Sequence, residues 1–206
     1  MRRLFIARHG NTFGPGEAAR RVGVRTDIPL VESGHQQGRK LGAWFASEAI
    51  AFDRALSGPL IRTRQTAEHI LSASARPCRL EIADFLAEID HGPDENGIED
   101  DVVARIGHDA IAAWDERAEA PDGWIVDHDS RIAAWRAFLA DLTPGNVLLV
   151  TSNGAARFAL LAAQSLAEQA RATGRNLKLR TGAYGEIAQY GPDDFSIIGW
   201  DQRPPK

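Results

Sequence analysis

Three short apolar runs stand out along the chain, at residues 4–7, 55–57 and 147–151, and each gives way to glycine, Ser-Gly or Ser-Asn-Gly punctuation. Runs of this length bounded by turn residues read as buried strands, and each is followed, directly or after a loop, by a segment of helical period. Over residues 33–49 the apolar positions Leu41, Trp44 and Phe45 share one helical face; over 60–73 Ile61, Ala67, Ile70 and Leu71 do the same, with Arg62 at the start. Residues 83–142 carry the acidic stretch EIDHGPDENGIEDD and two predicted helices, 99–116 and 129–141, joined by EAPDGW. This region reads as an inserted loop and helical subregion on one sheet edge. A last helix over 155–172 and two strands, 185–190 and 195–200, complete the alternating β/α order expected of a three-layer α/β fold, a mixed, mainly parallel sheet between helices. No internal repeat or linker divides residues 1–206, so one domain is expected.

Composition narrows the function classes. A formal net charge of -4 over 206 residues argues against broad binding to nucleic acid or an anionic membrane surface, although a local arginine cluster could still hold a small anion. The single cysteine, Cys78, excludes an internal disulfide framework and fits a reducing compartment. Neither a secretory leader nor a membrane span is suggested by the short apolar runs, and a cytoplasmic protein is the expectation. Ligand spacings for a metal, a phosphate-binding Gly-rich loop before lysine and a Gly-x-Ser-x-Gly turn are all missing, so neither metal nor cofactor is expected. The tryptophans at 114, 124, 135 and 200 read as packing or rim residues, and a homodimer is compatible with the composition.

In open α/β sheets ligands bind beyond the carboxyl ends of strands, where helix N-termini favour anions. His9, Arg62 and Asn153 all fall at such ends. In FIARHGNT, Arg8 beside His9 disfavours imidazolium and keeps a neutral, nucleophilic nitrogen, Gly10 permits close backbone approach, and Asn11 and Thr12 add hydrogen-bonding groups. Asn153, in LLVTSNGA, has two readings. Its side-chain oxygen could cap the following helix through the N–H of Ala155 or Ala156, or its NH2 group could serve a ligand.

Taken together, ARHGNT, RTDIPLVESGHQQGRKLG and LSGPLIRTRQTAEHI resemble, in order and spacing, the histidine phosphatase superfamily, also called phosphoglycerate-mutase-like, in which a histidine is transiently phosphorylated. The resemblance spans nearly the whole chain. It implies His9 as phosphate acceptor, Arg8 and Arg62 as holders of the phosphoryl oxygens, with Arg64 the alternative to Arg62, and Glu88 as general acid, with Asp90 its competitor. It also implies that Asn11, Thr12, Asn153 and Gly154 bind substrate. Here the chain departs from the family twice. GPDENG lacks the tryptophan often found there, and Asn153 stands where the family has a second histidine. An amide keeps a donor but no charge, which His91, Arg25, Arg157 or Arg180 could restore.

The expected function is a phosphomonoester hydrolase, metal-independent, acting on a small phosphorylated metabolite through a phosphohistidine. The alternatives are a weakly active or non-catalytic phosphate-ligand binding protein and a phosphoryl mutase of the same superfamily.

Overall fold

The computed structural model describes residues 1–205. Its centre is a six-stranded sheet built from β1 (Arg2–Arg8), β2 (Arg54–Ser57), β3 (Leu80–Ile82), β4 (Gly145–Thr151), β5 (Tyr184–Gln189) and β6 (Phe195–Gln202), in the order β3-β2-β4-β1-β5-β6. The first four in that order run parallel; β5 is antiparallel to β1, and β6 to β5. The fold is the mixed, mainly parallel three-layer α/β arrangement that the pattern predicts. β3, only three residues long with two of them exposed, left no apolar run to read.

Alternation along the central strands divides the core between the two faces. On one side Phe5, Ala7, Leu148 and Val150 meet Leu41 and Phe45 of α1 (Glu32–Ser47) and Ala67 and Ile70 of α2 (Ile61–Ser72). On the other, Leu4, Ile6, Val147 and Leu149 meet Trp114, Trp135, Leu139, Phe158 and Leu166. A strand buried on both faces must be apolar throughout, which is why β1 and β4 appear in the sequence as unbroken runs. Cys78 is half-buried and packs at the rim of the first cluster.

The second face corrects the expectation for residues 83–142. They cover the sheet rather than extend its edge, because all three of their tryptophans, Trp114, Trp124 and Trp135, bury their rings in that cluster. The predicted helix over 99–116 is two helices, α3 (Glu99–Ile106) and α4 (His108–Arg117), broken at Gly107, whose φ of 85° no helix accommodates. The helix over 129–141 is present as α5 (His128–Ala140). The alanine-rich segment predicted as one helix over 155–172 is α6 (Asn153–Ala156), a 3-10 stretch (Arg157–Leu161) and α7 (Gln164–Ala172). No breaker marks the join. Residues 153–160 are buried on every side, and extended backbone at Ala163 re-aims the chain so that Leu166, Ala167 and Ala170 of α7 face the core. Packing has overridden a uniform local propensity.

Candidate active site

β1 carries its apolar run to Arg8 and delivers His9 at its carboxyl end, where the His9 N–H donates to Thr151 of β4 at 3.0 Å and the His9 carbonyl accepts from Gly182 at 3.2 Å. Gly10 then crosses the start of α1 so closely that a β-carbon on it would lie 2.4 Å from the Gly34 carbonyl oxygen. His9 is buried, and its Nδ1 lies 2.7 Å from the Gly10 carbonyl. A carbonyl only accepts, so Nδ1 carries the proton and Nε2 keeps its lone pair. Burial, then the Arg62 and Arg8 guanidiniums, hold the imidazole well below its ordinary pKa of 6.5.

Arg62 enters from the first turn of α2 and is fully buried, whereas Arg64 is exposed. Its Nη1 donates to the Thr26 carbonyl at 2.7 Å and its Nη2 to those of Val22 and Gly23, each at 3.2 Å. Arg8 Nη1 donates to the Leu179 carbonyl at 2.8 Å, and burial, opposed by the Glu88 carboxylate, pushes that guanidinium down to about 10. Both arginines keep a buried Nε–H with no partner among the described residues. Orphaned charged donors in a protein interior are costly and call for an acceptor. Thr66, one turn beyond Arg62, ties the two halves together by donating to the Arg62 carbonyl and accepting from Gly10 N–H.

Glu88 follows a 3-10 turn (Asp84–Leu86) and is buried, its Oε1 accepting from Ile89 N–H at 2.9 Å and its Oε2 from Gly154 N–H at 3.2 Å. A β-carbon on Gly154 would stand 2.2 Å from Glu88 Oε1, so the glycine is what admits the carboxylate. Arg131 of α5 grips the same segment through the carbonyls of Ala87 and Glu88. Asp90 is engaged elsewhere, in a two-pronged pair with Arg25 at 2.9 Å per contact.

Asn153 is the first residue of α6, and its Oδ1 accepts from Leu179 N–H at 3.0 Å. The capping alternative is therefore overturned, because Ala156 N–H bonds the Ser152 carbonyl and the amide oxygen is committed to a different strand connection. A backbone N–H can only donate, so that bond fixes the amide and leaves Nδ2 without a hydrogen-bond partner among the described residues, while Asn153 lines a cavity of about 440 Å³.

Arg8, His9, Glu88, Asn153 and Gly154 all line this cavity. Thr12 is on its wall; Asn11 also reaches it but is occupied in ordering the loop, with Nδ2 on Ser33 and Oδ1 accepting from Thr181. Of the four candidates for replacing charge, Arg25 and Arg180 are exposed and paired with Asp90 and Asp201. Arg157 is fully buried beneath the site, between Asp115 and the Trp114 ring. His91 alone lines the cavity, and so do Arg21 and Lys178, neither of which the motifs single out. Lys178 did have a signal, since Leu177 and Leu179 are buried and Lys178 and Arg180 exposed, the alternation of an extended strap. Among the described residues no group of three or more His, Cys, Asp or Glu could hold a metal ion, and no helix is long and apolar enough to cross a membrane.

A neutral imidazole nitrogen beside buried guanidiniums, with a carboxyl on the same wall, is an arrangement suited to receiving a phosphoryl group on nitrogen. The profile of the histidine phosphatase superfamily (branch 1) matches residues 4–202, and the chain belongs to that superfamily. Curated relatives include the 2,3-bisphosphoglycerate-dependent phosphoglycerate mutases of Mesorhizobium japonicum, 30% identical over 66% of this chain and 69% of that one, and of Azorhizobium caulinodans, 27% identical over 79% and 85%. Solved structures of the same fold include a mycobacterial glucosyl-3-phosphoglycerate phosphatase (TM-score 0.76, 19% identity, 98% of this chain and 100% of that one). The alpha-ribazole phosphatase from Shigella flexneri is another (TM-score 0.67, 22% identity, 98% and 96%).

Proposed function

We propose that the protein is a phosphomonoester hydrolase that turns over a small phosphorylated metabolite through a phosphohistidine at His9. The observation that carries this reading is the tautomer lock: Nδ1 held on the Gly10 carbonyl leaves Nε2 as the nucleophile, on a cavity wall shared with Arg8 and under the charge of the buried Arg62, each guanidinium having an Nε–H unpaired among the described residues. Nε2 attacks phosphorus in line, the P–O ester bond breaks, and Glu88 in its protonated form gives its proton to the departing oxygen. Water then attacks phosphorus, the P–N bond breaks, and the Glu88 carboxylate takes the proton from water, so that inorganic phosphate leaves and the starting state returns. Arg8 and Arg62 hold the charge spread over the equatorial oxygens, and Asn153 Nδ2 adds a neutral donor.

The mutase reading has a specific observation in its favour, the names of the curated relatives. Against it, the wall of the cavity that His9 lines includes the exposed Glu17 and Arg20, so that the cavity opens to solvent. A mutase must shield phosphohistidine from hydrolysis long enough to return the phosphoryl group.

The test is phosphate release from a panel of phosphomonoesters, with trapping of an acid-labile, base-stable phosphoprotein. Wild type should release phosphate and be labelled, and His9→Ala should do neither. Binding of substrate with neither label nor turnover would leave a phosphate-ligand binding protein. Interconversion of phosphoglycerates that depends on 2,3-bisphosphoglycerate and outpaces phosphate release would make it a mutase.

A further inference from the structure

Arg62 is aimed by a loop that has no regular structure of its own. The three carbonyls that occupy its terminal nitrogens belong to residues 22–26; Val24 N–H on the Ile89 carbonyl and Arg25 on Asp90 tie this segment to the acidic stretch from its exposed side, and one further carboxylate holds it from within. Glu95 Oε1 accepts from Gly23 N–H at 2.9 Å and from the Thr26 hydroxyl at 2.7 Å, while Oε2 accepts from His91 N–H at 3.2 Å. Its side chain is 6% exposed, and His91 Nδ1 lies 3.6 Å from Oε2. Burial alone would raise this carboxyl, but the hydrogen bonds from His91, Thr26 and Gly23 reverse that and hold it down at about 2. The sequence at the other end of the contact is shaped to match. A β-carbon at residue 23 would meet Glu95 Oε2 at 2.2 Å and the Ile89 carbonyl oxygen at 2.6 Å, so only glycine lets the loop seat on the carboxylate. A charged group this buried, making three hydrogen bonds to one loop and one neighbouring turn, fixes geometry at a cost that surface residues avoid.

We infer that Glu95 is a positioning residue for Arg62: it clamps residues 22–26 so that their carbonyls hold the guanidinium's terminal nitrogens and turn its Nε–H toward the phosphoryl group. Neither Glu95 nor Arg62 lines the cavity as it stands, and Glu95 is connected to Arg62 only through the loop whose carbonyls hold the guanidinium. The inference rests on the reading of Arg62 as a phosphate ligand, and its test separates the two. The dissociation constant for inorganic phosphate and kcat/KM for a phosphomonoester are measured for wild type, Glu95→Ala, Glu95→Gln, Arg62→Ala and the double variant Arg62→Ala/Glu95→Ala. Glu95→Ala should weaken phosphate binding and kcat/KM about 10- to 100-fold, the scale of a displaced positioning group. Glu95→Gln, which keeps one acceptor oxygen for Gly23 and Thr26 but presents NH2 to the His91 N–H, should recover part of that loss.

Adding Glu95→Ala to Arg62→Ala should cost less than about twofold more, because a residue acting through Arg62 has nothing left to position. A full, multiplicative loss in the double variant would overturn the inference while leaving the phosphatase reading intact, as would an unchanged Glu95→Ala. If Arg62→Ala alone changes neither constant, the reading of Arg62 fails first. Should Glu95→Ala not fold, the same comparison runs on Glu95→Gln and Thr26→Val, which remove single contacts.

Discussion

Asn153 shows how one bond to a distant residue settles a local ambiguity. From sequence its amide could cap the helix or face a ligand; the Leu179 N–H at 3.0 Å selects the second by taking the oxygen. Asn153→Asp keeps that acceptor and replaces the free NH2 by an anionic oxygen, so kcat/KM should fall about 10²-fold or more while the melting temperature moves only a few degrees. An equal fall in both would show the amide to be structural. Gly154→Ala would press its β-carbon against Glu88 Oε1, 2.2 Å from the ideal position, and displace the carboxyl. The loss, roughly 10² in kcat, should be larger for alkyl phosphates, whose leaving oxygen needs the proton, than for p-nitrophenyl phosphate, whose does not. His9 is already neutral well below pH 6.5, so the acid limb of kcat/KM should not show a pKa near 6.5. Arg62 and Glu88 could be singled out in the sequence because each sits in an ordered motif, and both are buried. Arg131, which holds the backbone of Ala87 and Glu88 from a helix some forty residues away, was not, since an arginine on an amphipathic helix looks like any solvated one.

Among the elements, the parallel strands β1 and β4 were readable because burial on both faces makes them unbroken apolar runs, and the helices α1 and α2 because each buries a periodic apolar face against the sheet. The helical layer on the opposite face was read less well. Its alanine-rich stretch has the same propensity on either side of Ala163, and only the direction of packing breaks it. Within that layer α5 serves the site as well as the core. Arg131→Met, which leaves the half-buried carbonyls of Ala87 and Glu88 without that donor, should destabilise the fold by about 1–2 kcal/mol in urea titration. Arg131→Lys should restore little of this, because an ammonium cannot span both carbonyls as the planar fork does.

Two buried groups at or beside the site tie the stability of the whole molecule to pH. His9 is held neutral by burial and by its arginines, so its folded pKa is below the unfolded value of 6.5. Its contribution to stability is present above pH 6.5 and is lost as pH falls below it, by at most roughly 2 kcal/mol down to pH 5. Chemical denaturation of His9→Ala should show a flatter dependence over that window. Glu95 has the same sign at lower pH: stability present above its ordinary 4.5 is lost as pH falls toward about 2. An anion that binds the folded state alone should oppose both losses, and phosphate at 100 times its dissociation constant should add about 2.7 kcal/mol, roughly 5–10 °C for a chain of this size. The sequence by itself determined the layer order, the parallel core and the strand ends that carry His9, Arg62 and Asn153, because period and punctuation are local and survive in one dimension. Tertiary structure alone decided which side-chain atoms those residues present: the Gly10 carbonyl fixed the His9 tautomer, the Leu179 N–H turned the Asn153 amide, and loop carbonyls occupied Arg62. Each of those choices is a hydrogen bond whose partner is set by how the backbone packs, and spacing along the chain carries no record of it.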